Sequence, residues 1–336
     1  MLAQLLMKRL ISVVFVLIGL SLITFTLSHV VPSDPARLIA GPRASAESVK
    51  IIRKQYGLDR PLDVQYVSYM KGLLTFNFGV SLTTLRPVRT DLARYFPATV
   101  ELSLAALAFA IVVGVPLGIL SALRPNTLID YIGRIISVTG LAIPVFWLAL
   151  MCQFLFFAKL GWLPDGQRLP INTQRPPAIT RLYTIDSLLS GNLSLFVTAV
   201  EHLAMPAFVL GFGVLPVITR MVRAGMLETL GLDYIRTARS KGLSERTTVI
   251  RHALRNALMP TVTVIGMQIG VLFSGAILVE VIFSWPGIGR YAITGVTNFD
   301  YNAIMAVTLV IGAIYVLMNL FVDIAYLVLD PRISYS

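Results

Sequence analysis

The sequence predicts an all-α polytopic membrane protein: six transmembrane helices, with a folded cap between the first and the second. Three observations lead there. Of 336 residues, 56% are apolar and 13% are charged, about half the charged share of a soluble domain, and mean hydropathy is +0.78. Uncharged runs fall at residues 10–33, 102–123, 135–158, 202–219, 256–279 and 301–322; a bilayer core about 30 Å thick needs about 20 apolar residues in a helix. Between the runs, cations gather in alternate short loops. A soluble globule and a disordered chain are both excluded. The single cysteine, Cys152, forbids an intrachain disulfide and reads as packing within an apolar run.

Residues 1–31 are the N-terminus and first helix. Their apolar stretch is longer than the core of a secretory signal, and no small-x-small site precedes the loop at Pro32, so the helix is expected to be retained. Residues 32–95 are the cap. Ser45 can N-cap a helix over 46–56 that Gly57 stops; Asp59 and Pro61 start a second, with Leu62, Tyr66, Tyr69 and Leu73 on one stripe. This cap is either a solvated decoration or a docking surface for an external partner. Residues 96–336 form a five-helix core. Helices are expected over 102–123 and 135–158, then a mostly irregular loop over 159–200, rich in Pro, Asn and Thr. The run 202–219 is the weakest span, because His202 opens it and Pro206 and Pro216 interrupt it. A basic loop, 220–255, leads to the helix at 256–279, and the helix at 301–322 closes the core. Asp323 either snorkels to water or serves transport directly.

Orientation follows from cations in short loops. Lys8 and Arg9, Arg124 and Arg134, eight cations against three acids in 220–255, and Arg332 all fall on one side if six helices alternate. That side is the cytoplasm, with both termini. The ten cations of residues 32–94 are discounted, since long segments translocate largely regardless of charge. The net charge of +11 thus follows membrane topology and does not indicate nucleic acid.

Several chemistries are missing. His29, His202 and His252 lie far apart, with no Cys/His cluster for a metal. No Gly is followed by Lys, so there is no P-loop and no ATPase site of that kind, and no GxSxG occurs. Glu101, Glu201 and Glu280 sit at helix ends, whereas proton- or sodium-driven carriers place ionisable groups near midplane.

Residues Asp233 to Gly242 predict a short helix outside the membrane, with Asp233 as N-cap and Gly242 at C′. Tyr234 and Ala238 share one face; Arg236 and Arg239 share another. The helix either stabilises the loop or fits a groove on another protein. The run Asp233-Tyr-Ile-Arg-Thr-Ala-Arg-Ser-Lys-Gly242, followed by His252-Ala-Leu-Arg-Asn-Ala257 and Pro260, resembles the EAA loop of ABC importer permeases, most closely the dipeptide/oligopeptide permease B branch. Tyr56-Gly-Leu-Asp-Arg-Pro61, Phe283-Ser-Trp-Pro-Gly-Ile-Gly-Arg290 and Asp330-Pro-Arg-Ile333 agree with that branch. Arg236 and Thr237 depart from the broad EAA pattern, as they commonly do in the peptide branch. Phe76-Asn77-Phe78-Gly79 replaces the branch's usual Gly-Asp-x-Gly.

The resemblance implies a type I ABC importer permease in the bacterial inner membrane. It implies a second, C-like permease, two ATPase subunits that bind ATP and Mg, and an extracytoplasmic peptide-binding protein, while this chain itself binds no cofactor. Asp233, Tyr234, Ile235, Arg236, Thr237, Ala238, Arg239, Ser240, Lys241 and Gly242 would form the coupling helix seated on an ATPase subunit. Nickel chelates or glutathione are alternative cargoes of similar permeases; a stand-alone secondary carrier is the alternative of another class. Within the helix at 256–279, Gly266, Gly270 and Ser274 recur every four residues, and Gln268 is the one amide after Asn256. Small residues suit either tight helix packing or the wall of a wide pore. Gly266 and Gly270 are read as packing positions, Gln268 and Ser274 as pore-lining candidates.

Overall fold

The computed structural model describes residues 2–30, 35–41, 44–55 and 57–329, without certain side chains toward the two ends. The expectations placed on Pro32, Tyr56, the run Asp330–Ile333 and the Lys8, Arg9, His29 and Asp323 side chains lie outside the described residues. In chain order the α-helices are α1 Leu2–Val30, α2 Pro35–Ala40, α3 Ala46–Gln55, α4 Leu62–Leu74, α5 Val88–Leu123, α6 Leu128–Ala142, α7 Val145–Cys152, α8 Tyr183–Leu189, α9 Leu193–Leu230, α10 Asp233–Ser240, α11 Glu245–Thr247, α12 Leu254–Ala257, α13 Met259–Ile282, α14 Ile288–Thr297 and α15 Tyr301–Leu329. Two π-helical stretches, Gln153–Lys159 and Thr248–Ala253, extend α7 and precede α12. The chain divides into two units, Met1–Ala98 with Pro286–Val316, and Thr99–Trp285 with Leu317–Ser336.

In the first unit α4 lies along α1. Phe25 stacks on Tyr69 with centroids 5.8 Å apart and meets Tyr66 edge-on at 5.3 Å, and Ser21 Oγ shares a 2.9 Å hydrogen bond with the Tyr66 hydroxyl. The apolar stripe read for the cap thus packs through its two tyrosines, while Leu62 stays exposed. Ser45 Oγ accepts from Ser48 N at 3.2 Å, the cap its position suggests. The core joins Val88 and Leu92 of α5 to Ile288 and Tyr291 of α14 and to Ala303, Ala306 and Val307 of α15. Buried Asp300 opens α15, accepting from Ser81 Oγ at 2.5 Å, Thr83 N at 3.1 Å and Ala303 N at 3.2 Å. Between α13 and α15 the chain forms a further helix, α14.

The second unit is built around α9. Val209, Leu210, Val214, Leu215, Ile218 and Val222 are buried, and the helix packs against α6, α7, α8, α12 and α13. The run judged weakest is thus the 38-residue central helix, Pro206 and Pro216 included. Neighbouring helices can re-satisfy a carbonyl that proline frees, so proline need not end a membrane helix. At Gly211 the helix crosses α5 so closely that a Cβ would stand 2.5 Å from the Ala106 carbonyl oxygen.

The third run is broken. α6 and α7 meet at 106°, where Ile143 adopts an extended conformation (φ −79°, ψ 122°) ahead of Pro144. Proline pushes its predecessor out of the helical region and cannot donate a hydrogen bond, and here no continuous helix compensates. The second run starts early, at Val88, so α5 takes the last residues of the 32–95 segment. α9 likewise takes residues from both flanking loops, its N-terminus capped by Asn192 accepting from Leu195 N at 3.0 Å. Among the described residues four helices are long and apolar enough to cross a membrane, five if the bent pair is one span; the apolar stretch Ile11–Thr26 of α1 is shorter.

Candidate functional site

α10 is the short helix that the sequence singles out. Leu232, not Asp233, occupies the N-cap, in extended conformation and without a side-chain cap bond; Asp233 is the first helical residue. A carboxylate in the first turn still suits the helix dipole. The other end matches the expected glycine stop. Gly242 has φ +76°, its N–H donates to Arg239 O at 2.9 Å, and the Leu243 N–H donates to Ala238 O at 3.4 Å. This is the paired closure of a Schellman motif, for which the left-handed residue is normally glycine.

The helix does not present the face that sequence spacing suggested. Ile235 is fully buried and Ala238 is 7% exposed, and α10 packs on the π-helical stretch Thr248–Ala253. Ala238 is therefore turned toward its own chain. The pairing of Tyr234 with Ala238 overlooked that Ile235 and Ala238, three apart, also share a face. Tyr234 is half-exposed, and its hydroxyl accepts from Asn256 Nδ2 at 2.8 Å and donates to His252 O at 3.4 Å. Arg239 grips Glu245 with two bonds of 3.1 and 2.7 Å. That guanidinium holds the Glu245 carboxyl below its ordinary range. Asp233, Arg236, Thr237, Ser240 and Lys241 are exposed, so the outward surface is polar, with two cations and one acid, Arg236 lying 3.4 Å from Asp233.

On α13 the two glycines and Ser274 part company. Gly266 and Gly270 are buried; a Cβ at Gly266 would lie 1.9 Å from Val322 Cγ2 of α15. Ser274 is exposed, with its hydroxyl donating to Gly270 O at 3.3 Å, and Gln268 is half-buried. Residues four apart advance by about 400°, so a stripe followed over eight residues turns by about 80°. Ser274 thereby joins the exposed row of Met267, Val271 and Leu278.

Two buried charge clusters were not read from the sequence. Glu101 of α5 accepts from Arg168 Nη2 at 2.5 Å and Nε at 3.1 Å, and from Thr184 N and Oγ1 at 2.8 Å each. Arg168 also lies 3.5 Å above the Tyr183 ring, and His202 Nδ1 sits 2.6 Å from Gly166 O. The segment read as a mostly irregular loop over 159–200 is irregular up to α8, and buried polar groups tie it down. In the second cluster, Asp130 of α6 is fully buried, bonded to Arg134 at 2.6 Å and to Arg223 of α9 at 2.7 and 3.0 Å. Spacing of four hints at Asp130–Arg134; nothing local points from Asp130 to Arg223. Among the described residues no group of His, Cys, Asp and Glu could hold a metal ion.

Comparison with known proteins adds the context. A family model described as binding-protein-dependent transport system inner membrane component matches residues 114–335, and one for the N-terminal region of such membrane components matches residues 1–104. The chain is 45% identical to a probable D,D-dipeptide transport system permease protein of Escherichia coli, over 98% of this chain and 97% of that one. It is 44% identical to a dipeptide transport system permease protein of Alkalihalophilus pseudofirmus, over 98% of each chain. It is 36% identical to a glutathione transport system permease protein of Salmonella choleraesuis, also over 98% of each.

Proposed function

The chain belongs to the family of binding-protein-dependent transport system inner membrane components, and on that premise we propose that it is a pore-forming permease subunit of an ATP-driven ABC importer for dipeptides or oligopeptides. Near-full-length likeness to permeases named for dipeptide transport carries this reading. The glutathione-named relative favours a second cargo; glutathione, itself a small peptide, needs a similar path.

In this proposal six spans cross the bacterial inner membrane: α1, α5, the bent pair α6–α7, α9, α13 and α15. The termini and α10 lie in the cytoplasm, and α3 and α4 form an extracytoplasmic cap. A second permease completes the pore, two ATPase subunits bind ATP and Mg, and a binding protein delivers the peptide. α10 is the coupling helix. ATP favours the closed ATPase pair, and a rigidly attached helix transmits that preference to the spans. Two structural features support this role: the Schellman closure at Gly242 and the packing of Ile235 and Ala238 make α10 a fixed projection of the core, with Arg236 and Lys241 outward. Gln268 and Ser274 are pore-lining candidates; Gly266 and Gly270 hold α13 against its neighbours.

The test is reconstitution. All four kinds of subunit in vesicles should import dipeptide on ATP addition. Uptake by this chain alone, driven by an ion gradient, would replace the proposal with a secondary carrier.

A further inference from the structure

A cavity of about 730 Å³ opens between α6 and α9, and its lining includes no residue of α10 or α13. Its lining is divided. Arg134, Arg220 and Arg223 supply three positive charges, and Val138, Leu141 and Ala142 supply an apolar wall. The nearest carboxylate, Asp130, is fully buried and bonded to Arg134 and Arg223, so it offsets one charge and turns no oxygen to solvent. Arg220 is exposed and has no ion-pair partner among the described residues. The apolar wall continues along α6 through exposed Tyr131, Ile135, Val138 and Leu141, a row at helical spacing that ends in the cavity.

We infer that this cavity holds an anionic phospholipid, its phosphate against Arg220 and the free edges of Arg134 and Arg223, and an acyl chain along Val138 and Leu141. Charge and shape select this occupant. Two uncompensated cations call for an anion, and basic pockets between membrane helices suit lipid head groups. A free phosphate would leave the apolar wall uncovered. A zwitterionic peptide would bring an ammonium group to a cavity with no available carboxylate.

The test uses the assembled complex in nanodiscs of phosphatidylcholine with about one fifth phosphatidylglycerol, followed by native mass spectrometry of the lipids retained on release. The wild type should retain phosphatidylglycerol in preference to phosphatidylcholine. Arg220→Gln, which breaks no ion pair, should reduce that retention about fivefold. Arg124→Gln, an exposed arginine outside the cavity, should retain it fully. Equal retention by Arg220→Gln and the wild type would overturn the inference. So would displacement by inorganic phosphate alone, which would make this a simple anion site, or by a dipeptide, which would make it part of the substrate path. Peptide-stimulated ATPase activity of the same preparations reports separately on the transport reading.

Discussion

Arg168, in the segment after the bent pair, closes on Glu101 of α5 with Nη2 2.5 Å from Oε2, and both side chains are about 5% exposed. Residues 67 positions apart are thereby joined in a charge pair that neither could sustain alone. Removing one partner of a buried pair costs about 3–5 kcal/mol, because the other charge stays desolvated. Arg168→Met should therefore lower the melting temperature of the detergent-solubilised chain strongly, and Glu101→Leu with Arg168→Met should recover most of the loss. A single variant as stable as the wild type would show that water reaches the pair.

The cluster at Asp130 predicts an order. Asp130→Asn strands two arginines, Arg223→Gln removes the half-buried partner and Arg134→Gln the more exposed one. Loss of thermal stability should fall in that sequence, smallest for Arg134→Gln, because the Arg134 side chain is half-exposed and Arg223 still holds Asp130. A larger loss for Arg134→Gln than for Asp130→Asn would contradict the geometry.

Gly266 is a contact position. The Cβ of Gly266→Ala would meet Val322 Cγ2, and overpacking of that kind costs about 1–3 kcal/mol. Adding Val322→Ala makes room and should restore stability. If the double variant melts no higher than Gly266→Ala alone, the two helices do not meet there.

For α10, two classes of variant should separate. Ala238→Trp should displace the helix from Thr248–Ala253 and lower both stability and coupling, because Ala238 is buried in its own chain. Arg236→Glu with Lys241→Glu should leave the melting temperature unchanged yet weaken ATPase-subunit binding several-fold, as surface charges contribute up to about 1 kcal/mol each. Normal peptide-stimulated ATPase activity in both would remove α10 as the coupling element. Gly242→Val meets open space and suffers only from its positive φ, so its effect isolates the Schellman closure.

Orientation can be read with cysteines introduced one at a time at Arg60, Thr180 and Ser240 in a Cys152→Ala background. An impermeant thiol reagent on intact cells should reach the first two and not the third. Labelling of Ser240→Cys alone would invert the proposed topology.

The separate helices were largely legible because bilayer crossing needs long uncharged runs, and such runs are a local property of the chain. The exceptions share one cause. Pro144 breaks its run and Pro206 and Pro216 do not, although all three carry the same local penalty. The outcome is set by tertiary packing: α9 is held on several sides as one helix, whereas α6 and α7 pack on it as two helices meeting at 106°.

The α10 segment divides in the same way. Its glycine stop depends on one residue's conformational freedom and was evident at Gly242, while the buried face of α10 depends on what packs against it. Spacing alone made Tyr234 and Ala238 partners; packing on Thr248–Ala253 buried Ile235 with Ala238 instead. The sequence by itself therefore determined the helical class, the places of the long apolar helices, the family resemblance and the stop at Gly242, all of which rest on local pattern. Tertiary structure alone decided which proline breaks a helix, which face of α10 is outward, and that Arg168 meets Glu101 and Arg223 meets Asp130. A buried charge survives only beside a partner, and when that partner comes from a distant part of the chain, no local spacing records it.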